Sequence, residues 1–475
     1  MFSIASQRIQ RIPSSLRKQS STSVQLTMPC MVLLLSVTAL TLIGIVMVYS
    51  ASTYQAVKEG HASYHYLSRH LVYVVLGVSI AFMLSRLDHR IFTRKRLVWA
   101  LWGVEVFLLL CTAAFGISQY GAKRWINVGF GTLQASEFAK VVILVIMAGY
   151  LADFLDGGIE LRELAMKAGS AVLVPTALIV IQPDLGTSII ILVTVLSTMW
   201  IGELDSRLIL GVLGIVVVVG IIGIIAEPYR MQRVLSFLGV GSTETAQGGE
   251  YQVQNSLYAL GSGGLLGSGL GHSGQKYGYL PEGHTDFIFA IIGEELGLVG
   301  TLVVVALFIA FVAAGLRIAY QASTPFGRMV AGGATVVIGF QAFLNMYCAV
   351  GMFPVTGKPL PFVSSGGSSL LSTFILVGLL LAISLQSTPE AAARRSRADL
   401  IVYDGIQDGS DETVRVIGSR RGGGASRRMG HPVTPQRFWA DWEDVDWSPP
   451  GKGRSGTPVR DDDDVPRLRR RRERS

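Results

Sequence analysis

The dominant feature of this sequence is a series of apolar runs, each about twenty residues long. A run of that length lets a helix cross the hydrocarbon core of a bilayer. Ten such runs occur, at about 28–50, 67–85, 97–117, 137–153, 168–183, 186–203, 207–226, 287–316, 329–350 and 367–386. With 50% hydrophobic and only 16% charged residues, the composition excludes an ordinary soluble globular protein. The sequence therefore predicts an all-α polytopic membrane protein with about ten transmembrane helices.

Polar ends divide the chain into three parts. We expect residues 1–27 to form a cytoplasmic tail and residues 28–387 to form the ten-span membrane domain. Residues 388–475 are too rich in charge, Gly, Ser and Pro to bury an apolar core, so this part is expected to be a disordered tail. Within the membrane domain, the polar segment 227–285 predicts one large external loop.

Basic residues predict which way the bundle faces, because cytoplasmic segments accumulate Lys and Arg. The N-terminal tail and the second connection are both basic; their bases are Arg8, Arg11, Arg17, Lys18, Arg86, Arg90, Arg94, Lys95 and Arg96. Both segments are therefore expected inside the cell. With an even number of spans, the C-terminus is cytoplasmic as well, and the odd-numbered connections face outward.

Some bases lie in the external segments, against this rule. They are Lys123, Arg124, Arg230, Arg233, Lys276 and Lys358. As a set, they favour a site for an anionic ligand such as a phosphate or a lipid headgroup. For any single one, the alternative of a tolerated loop residue is equally good.

The external loop 227–285 is roughly 59 residues long, far longer than an ordinary connection, so it is either functional or disordered. Its glycine-rich part, 261–271, could let backbone amides approach a ligand or could form tight turns. A nucleotide-binding loop is not indicated, because the Gly-Lys-Ser/Thr ending and the preceding strand are missing.

Asp286 immediately precedes the eighth span. The N-terminus of a helix stabilises a carboxylate, whereas apolar surroundings raise its pKa. An acid in that position could take a proton from a sugar hydroxyl. The residue type by itself favours the simpler interpretation that Asp286 only caps the helix.

Other carboxylates lie at the ends of the apolar runs. Glu137 and Lys140 are three residues apart on one helix face, which predicts a buried ion pair. If the pair lines a cavity instead, Lys140 becomes a contact for an anionic ligand. Asp184 follows a proline and is typical of a turn. Glu294 and Glu295 are expected first as structural partners of loop bases and only second as catalytic groups.

Five ordered motifs resemble the SEDS family (shape, elongation, division and sporulation). They are GAKRWINVG at 121–129, QASEFAK at 134–140, QPDLGT at 182–187, YLPEGHTDFIFA at 279–290 and PLPFVSSGGSS at 359–369. Two positions depart from the family pattern: Ala135 stands where proline is usual, and Ser365 stands where tyrosine is usual.

The resemblance implies a peptidoglycan glycosyltransferase that polymerises lipid II outside the cytoplasmic membrane and releases undecaprenyl pyrophosphate. It implies Asp286 as the essential acid. The residues expected to bind substrate are Lys123, Arg124, Trp125, Glu137, Lys140, Arg230, Arg233, Lys276, Glu282, His284, Thr285, Ser364 and Ser368. The resemblance implies no definite cofactor, and a divalent cation, Mg or Mn, could share the neutralisation of the departing diphosphate.

The resemblance also implies partners. A class B penicillin-binding protein (FtsI-like) would supply crosslinking, and no nucleic acid is expected. The motif around Lys276 and the long tail favour the division branch, and hence the septum of the plasma membrane and other divisome proteins. The tail at 388–475 would contact FtsZ or membrane lipids. The alternatives are an elongation polymerase, a lipid II flippase or transporter, and a scaffold that only recruits division proteins.

Overall fold

The computed structural model describes residues 27–119, 122–129, 131–225 and 249–387. Arg230 and Arg233 lie outside the described residues, as do the tail 388–475 and the N-terminal tail except Thr27. The helices are α1 (Met28–Lys58), α2 (His65–Arg86), α3 (Lys95–Phe115), α4 (Ser136–Leu155), α5 (Leu161–Ile181), α6 (Leu185–Ile201), α7 (Ser206–Ile225), α8 (Gly249–Ser262), α9 (Ile288–Tyr320), α10 (Pro325–Ala349) and α11 (Gly367–Gln386).

Ten of these helices coincide with the ten predicted spans. Eight of them, α1 to α5 and α9 to α11, are long and apolar enough to cross a membrane. The other two, α6 and α7, are also strongly apolar. The predicted fold class is thus confirmed. The remaining helix, α8, lies in the external loop, where the sequence pattern predicted no helix.

The core of the bundle is formed by α4, α10 and α11. Their apolar windows are 67%, 72% and 78% buried, whereas those of α2, α3 and α5 are only 22–28% buried and leave most of their surface for lipid. Small residues bring the central helices together. A Cβ at Gly333 on α10 would lie 2.2 Å from Leu144 Cδ1 on α4, so the Leu144 side chain packs into the space that glycine leaves.

A small sheet occupies the connection between α3 and α4, which the sequence analysis did not predict. Its antiparallel strands, in the order β1-β2-β3, are Ile117–Gln119, Ala122–Asn127 and Thr132–Leu133. Trp125 of β2 is paired with Ile117 of β1. The sheet therefore carries the external motif residues Lys123, Arg124 and Trp125 on its middle strand.

The helix α9 is interrupted at Gly297, where φ is 69°. The interruption frees the carbonyl groups that end the first part of the helix. The glycine-rich segment supplies donors to them: the amide of Ser268 donates to the carbonyl of Glu294 at 2.9 Å, and the amide of Gly269 donates to that of Glu295 at 3.1 Å. These bonds replace those that an unbroken helix would make within itself.

The same glycine-rich segment also accepts hydrogen bonds from the amides that follow the break. The amide of Leu298 donates to the carbonyl of Gly264 at 3.0 Å, and the amide of Val299 donates to that of Leu265 at 3.2 Å. Of the two roles that the sequence left open for 261–271, the structure therefore shows tight turns, which cap a broken helix.

At the opposite end of the bundle, His89 joins three elements. This side chain is 2% exposed, and its Nδ1 lies 2.6 Å from Oε1 of Gln386, the last residue of α11. Its Nε2 lies 3.4 Å from the hydroxyl of Thr324, the N-cap of α10. The Gln386 amide donates in turn to the carbonyl of Leu87 at 2.6 Å. These contacts fix the end of α11 to the connection between α2 and α3.

The helix break generates a stability prediction. Gly267 has φ +82°, and a Cβ there would lie 2.2 Å from the carbonyl oxygen of Glu295, so Gly267→Ala should destabilise the protein by about 1–3 kcal/mol. The control is Gly261→Ala, where nothing lies within 4 Å of the added Cβ. Thermal unfolding in detergent should show a lower melting temperature for the first variant only. Equal melting temperatures would contradict this account of the glycine.

Candidate functional site

Asp286 lies in a tight turn at the external start of α9. The carbonyl of Glu282 accepts hydrogen bonds from the amides of Asp286 and Phe287 at 3.1 and 3.2 Å. The Thr285 hydroxyl donates to the Glu282 carboxylate at 2.7 Å. Glu282 itself has φ +55°, a left-handed conformation that a residue with a Cβ seldom adopts. The turn therefore fixes Asp286 through the backbone and leaves its side chain unbound by the turn.

A second contact fixes Asp286 from α10. The Asn345 amide nitrogen donates to the carbonyl of Asp286 and to the carbonyl of Lys358, both at 2.8 Å. The carboxylate of Asp286 lies against the same external loop, because a Cβ at Gly357 would be 3.5 Å from its Oδ2. One buried amide thus holds the acid and the loop between α10 and α11 in register.

The environment of Asp286 changes its acidity. Burial, and after it the charge of Glu282, raise the pKa of its carboxyl to about 7, against the opposing charges of Lys358 and Arg124. Within the described ranges, no donor lies within hydrogen-bond distance of its carboxylate oxygens. An acid in this state is partly ionised near neutral pH and keeps its lone pairs available for a ligand.

Next to Asp286 lies a group of four buried charges, which we name the four-charge cluster: Glu137, Lys140, Asp184 and Lys358. Each is at most 3% exposed. The Lys358 ammonium lies 3.2 Å from Glu137 and 3.0 Å from Asp184, and the Lys140 ammonium lies 2.7 Å from Glu137. The predicted Glu137–Lys140 ion pair is thus confirmed. Two positive and two negative charges balance, so the cluster has no net charge.

Neighbouring polar groups complete the bonding of the cluster. Asp184 accepts from the Ser136 hydroxyl at 2.8 Å and caps α6 by accepting from the amide of Thr187 at 3.2 Å. Burial by itself would raise the pKa of Asp184, but Lys358 and Arg124 hold it below its usual range. Burial likewise opposes the charge of Lys358, yet Asp184 and Glu137 outweigh it and raise the pKa of this lysine.

Strand β2 brings a cation to the same region. The Arg124 guanidinium donates to the carbonyls of Gln182 and Pro183, at 3.3 Å in the first case. Lys123 is exposed beside it, and Trp125 is half-buried. Because the charge of Arg124 lowers the pKa of both Asp184 and Asp286, this arginine lies electrostatically within the site.

Lys276 is bound in a separate group. Its ammonium lies 3.2 Å from Glu295, and its side chain is only 6% exposed. The Ser50 hydroxyl donates to Glu295 at 2.7 Å, and the amide of Gly274 donates to Glu294 at 2.8 Å. The expectation of a structural partner for a loop base is confirmed for Glu295, whereas Glu294 bonds to the backbone of the loop. A contact between Lys276 and substrate stays a prediction.

His284 lies at the outer edge of the site. Its ring is packed 4.8 Å from the ring of Tyr66, and its carbonyl accepts from the amide of Ser365 at 3.0 Å. Burial lowers the pKa of His284, while Glu282 and Glu59 oppose that shift. The neutral imidazole is therefore favoured at neutral pH.

Ser364 and Ser368 use their hydroxyl groups within the protein. The amide of Leu360 donates to Ser364 at 2.8 Å, and the amide of Gln134 donates to Ser368 at 2.9 Å. Both serines thus hold the loop and strand backbones around the four-charge cluster. Their role in substrate binding stays a prediction.

Sequence analysis missed three residues of this site. Lys358 was recognised only as an external base, Asp184 only as a turn residue, and Asn345 not at all. Charge balance could have identified Lys358 from the sequence. Glu137 and Asp184, if buried at the ends of apolar spans, require a second cation besides Lys140. No sequence signal distinguishes Asn345 from other polar residues on a helix.

A protein-held metal ion does not fit the described part of the chain. Among those residues, no group of three or more His, Cys, Asp or Glu side chains is arranged to hold one. Glu282 is the carboxylate whose charge acts on Asp286, and its oxygen is already bonded to Thr285.

Fold and site together define a multi-pass membrane protein with a perturbed acid and a neutral cluster of buried charges at the external side of its bundle. Residues 30–389 match the family described as cell cycle protein, FtsW/RodA/SpoVE. The chain belongs to this family.

Individual relatives agree with this assignment. A protein of Geobacter metallireducens named probable peptidoglycan glycosyltransferase FtsW is 35% identical over 362 residues, which cover 76% of this chain and 96% of the relative. One of the same name from Trichlorobacter lovleyi is 36% identical, covering 74% and 92%.

Two solved structures are similar as well. A chain of a peptidoglycan synthase complex that coordinates polymerization and crosslinking has a TM-score of 0.60 at 26% identity, covering 75% of this chain and 98% of that one. The rod shape determining protein RodA of Thermus thermophilus has a TM-score of 0.54 at 27% identity, covering 75% and 96%.

The four-charge cluster generates a second stability prediction. Lys358→Met leaves Glu137 and Asp184 short of a buried cation and should destabilise the protein by about 3–5 kcal/mol. Lys167→Met, which removes an exposed ion pair with Glu163, should cost less than about 1 kcal/mol. Thermal unfolding in the same detergent measures both. A Lys358→Met protein as stable as the control would show that the cluster does not hold the bundle together.

Proposed function

We propose that this protein polymerises lipid II into glycan strands at the outer side of the membrane, as a peptidoglycan glycosyltransferase. The observation that carries the proposal is Asp286, whose backbone is fixed by Asn345 and whose pKa is raised to about 7. At neutral pH such a carboxylate can accept a proton during the reaction and release it to solvent before the next turnover. The relatives named as peptidoglycan glycosyltransferases support the same reaction.

The proposed reaction joins two lipid-linked sugars. The 4-hydroxyl of the N-acetylglucosamine of one lipid II attacks the anomeric carbon of the other or of the growing strand. A carbon–oxygen bond forms there, and the bond from that carbon to the undecaprenyl diphosphate breaks. Asp286 takes the hydroxyl proton during the attack, and the electron pair of the breaking bond leaves with the diphosphate.

Cations on β2 would stabilise the leaving group. Lys123 is exposed and Arg124 lies close enough to shift the pKa of Asp286, so both are suited to bind phosphate oxygens from the external side. Lys140 and Lys358 are bonded to Glu137 and Asp184, and we assign them to holding the site in shape. In this proposal, the cations on β2 bind substrate and the two buried lysines stabilise the fold.

The cellular role proposed here is division. Relatives named FtsW support it, and a solved relative belongs to a synthase complex that couples polymerization to crosslinking. We therefore infer that a class B penicillin-binding protein is the partner and that the protein works at the septum of the plasma membrane. The tail 388–475 would contact division proteins such as FtsZ on the cytoplasmic side.

Removal of the acid tests the reaction. Asp286→Asn in liposomes with lipid II should lower the rate of glycan synthesis by at least about 100-fold, because the amide cannot accept the proton. Asp156→Asn, at an exposed position at the end of α4, should retain the wild-type rate. Glycan length on gels measures both. Equal synthesis by the two variants would refute the base, and lipid II crossing the bilayer without any polymer from wild type would favour a transporter.

The pH dependence tests the electrostatics of the site. Because Asp286 works ionised, kcat/KM should rise with pH through a pKa near 7. Glu282→Gln removes a negative charge that raises this pKa. The rise of kcat/KM on the acidic side of the pH profile, the acid limb, should therefore shift to lower pH. Glu59→Gln is the control, since Glu59 bonds to Tyr66 at 2.6 Å and should leave the limb in place. An acid limb that does not move in Glu282→Gln would contradict the assignment of this pKa to Asp286.

A further inference from the structure

The turn that fills the break in α9 exposes large apolar side chains. Leu265 and Leu266 are 70% and 81% exposed, although they belong to the loop predicted to face outward. The glycine-rich segment 261–271 contains no charged residue. An aqueous loop of this length would ordinarily present polar side chains, so this surface requires a partner.

The apolar surface of the turn continues that of α9. Leu298 and Val299, whose amides bond to the turn, are 49% and 52% exposed, and Leu302 on the next turn of the helix is 56% exposed. These residues belong to the outer surface of a membrane-spanning helix, which lipid covers. Leu265 and Leu266 extend the same surface beyond the helix.

Helix length gives the depth of the turn. Arg317 lies in the last turn of α9, at its cytoplasmic end. About twenty residues separate Arg317 from Leu298, and at 1.5 Å per residue they cover about 30 Å, the thickness of the hydrocarbon core. The break at Gly297, with Leu265 and Leu266 beside it, therefore lies at the outer boundary between hydrocarbon and headgroups.

Hydrogen bonds of its backbone allow the turn to lie at the boundary of the hydrocarbon core. Irregular backbone is costly in lipid because unpaired amides and carbonyls have no water to bind. Here the carbonyls of Gly264 and Leu265 accept from α9, the amides of Ser268 and Gly269 donate to it, and the amide of Gly267 donates within the turn at 2.8 Å. The turn can thus contact lipid without leaving these polar groups unpaired.

We propose that the turn 264–270 is inserted into the outer leaflet, with Leu265 and Leu266 in contact with lipid acyl chains. The occupant of this surface is lipid, because the surface is apolar, uncharged, continuous with a lipid-facing helix and located at the depth where acyl chains begin. The insertion anchors the external loop to the membrane next to Glu295, which is ion-paired with Lys276. This inference does not depend on the proposed reaction.

Spin labelling of the full chain tests the proposal. The three native cysteines, Cys30, Cys111 and Cys348, are replaced by alanine. Leu266→Cys carries a nitroxide in vesicles of phosphatidylethanolamine and phosphatidylglycerol, and its accessibility to oxygen and to a water-soluble nickel complex is compared. Ile309→Cys, 64% exposed within the span, is the lipid reference, and Tyr279→Cys, 59% exposed in the external loop, is the water reference.

We expect the label at 266 to resemble that at 309, with oxygen accessibility several-fold above nickel accessibility, and to differ from 279. Leu265→Cys gives a second position in case one variant unfolds, and thermal unfolding identifies a variant that does. A label at 266 that matches 279 would place the turn in water. A label reached by neither reagent would show that protein, from a second copy or another chain, covers it. Either result overturns the proposal.

Discussion

The ion pairs among Glu137, Lys140, Asp184 and Lys358 determine how the external side of this bundle is assembled. Two of these charges come from α4, one from the start of α6 and one from the loop between α10 and α11. A charge buried without a partner in such a place would be prohibitive, so each member requires the others. The consequence is that three elements, distant in sequence, can come together only in one arrangement.

Asp286 depends on that arrangement without belonging to it. Asn345 ties its carbonyl to that of Lys358, so the position of the acid follows the position of the loop that the cluster holds. Among the residues that the structure describes, its carboxylate has no ion pair, and burial together with the charge of Glu282 raises its pKa to about 7. The paired charges of the cluster thus hold the site together, and Asp286 is the acid that we propose for the chemistry. The four members of the cluster are at most 3% exposed and ion-paired, whereas Asp286 is partly exposed.

Sequence alone predicted the spans well, because hydrocarbon thickness imposes a length that can be counted along the chain. It also predicted the Glu137–Lys140 pair, which is a local i, i+3 relation. The sheet was missed because strands of two to six residues carry no useful periodicity. The break at Gly297 was missed because the apolar pattern continues through it and the bonds that compensate it come from residues about thirty positions earlier. The structural role of Lys358 was missed for the same reason, because the carboxylates that it pairs with lie far away in the sequence.

The contacts of Gln386 have a mechanical consequence. This residue ends α11 just before the chain continues into its last 88 or so residues, and it is bonded to His89 and Leu87 on another connection. Any tension that a bound protein exerts on the chain beyond Ser387 meets these bonds first. Because these bonds tie the end of α11 to the connection between α2 and α3, a displacement of the chain at Ser387 would be shared between two elements of the bundle.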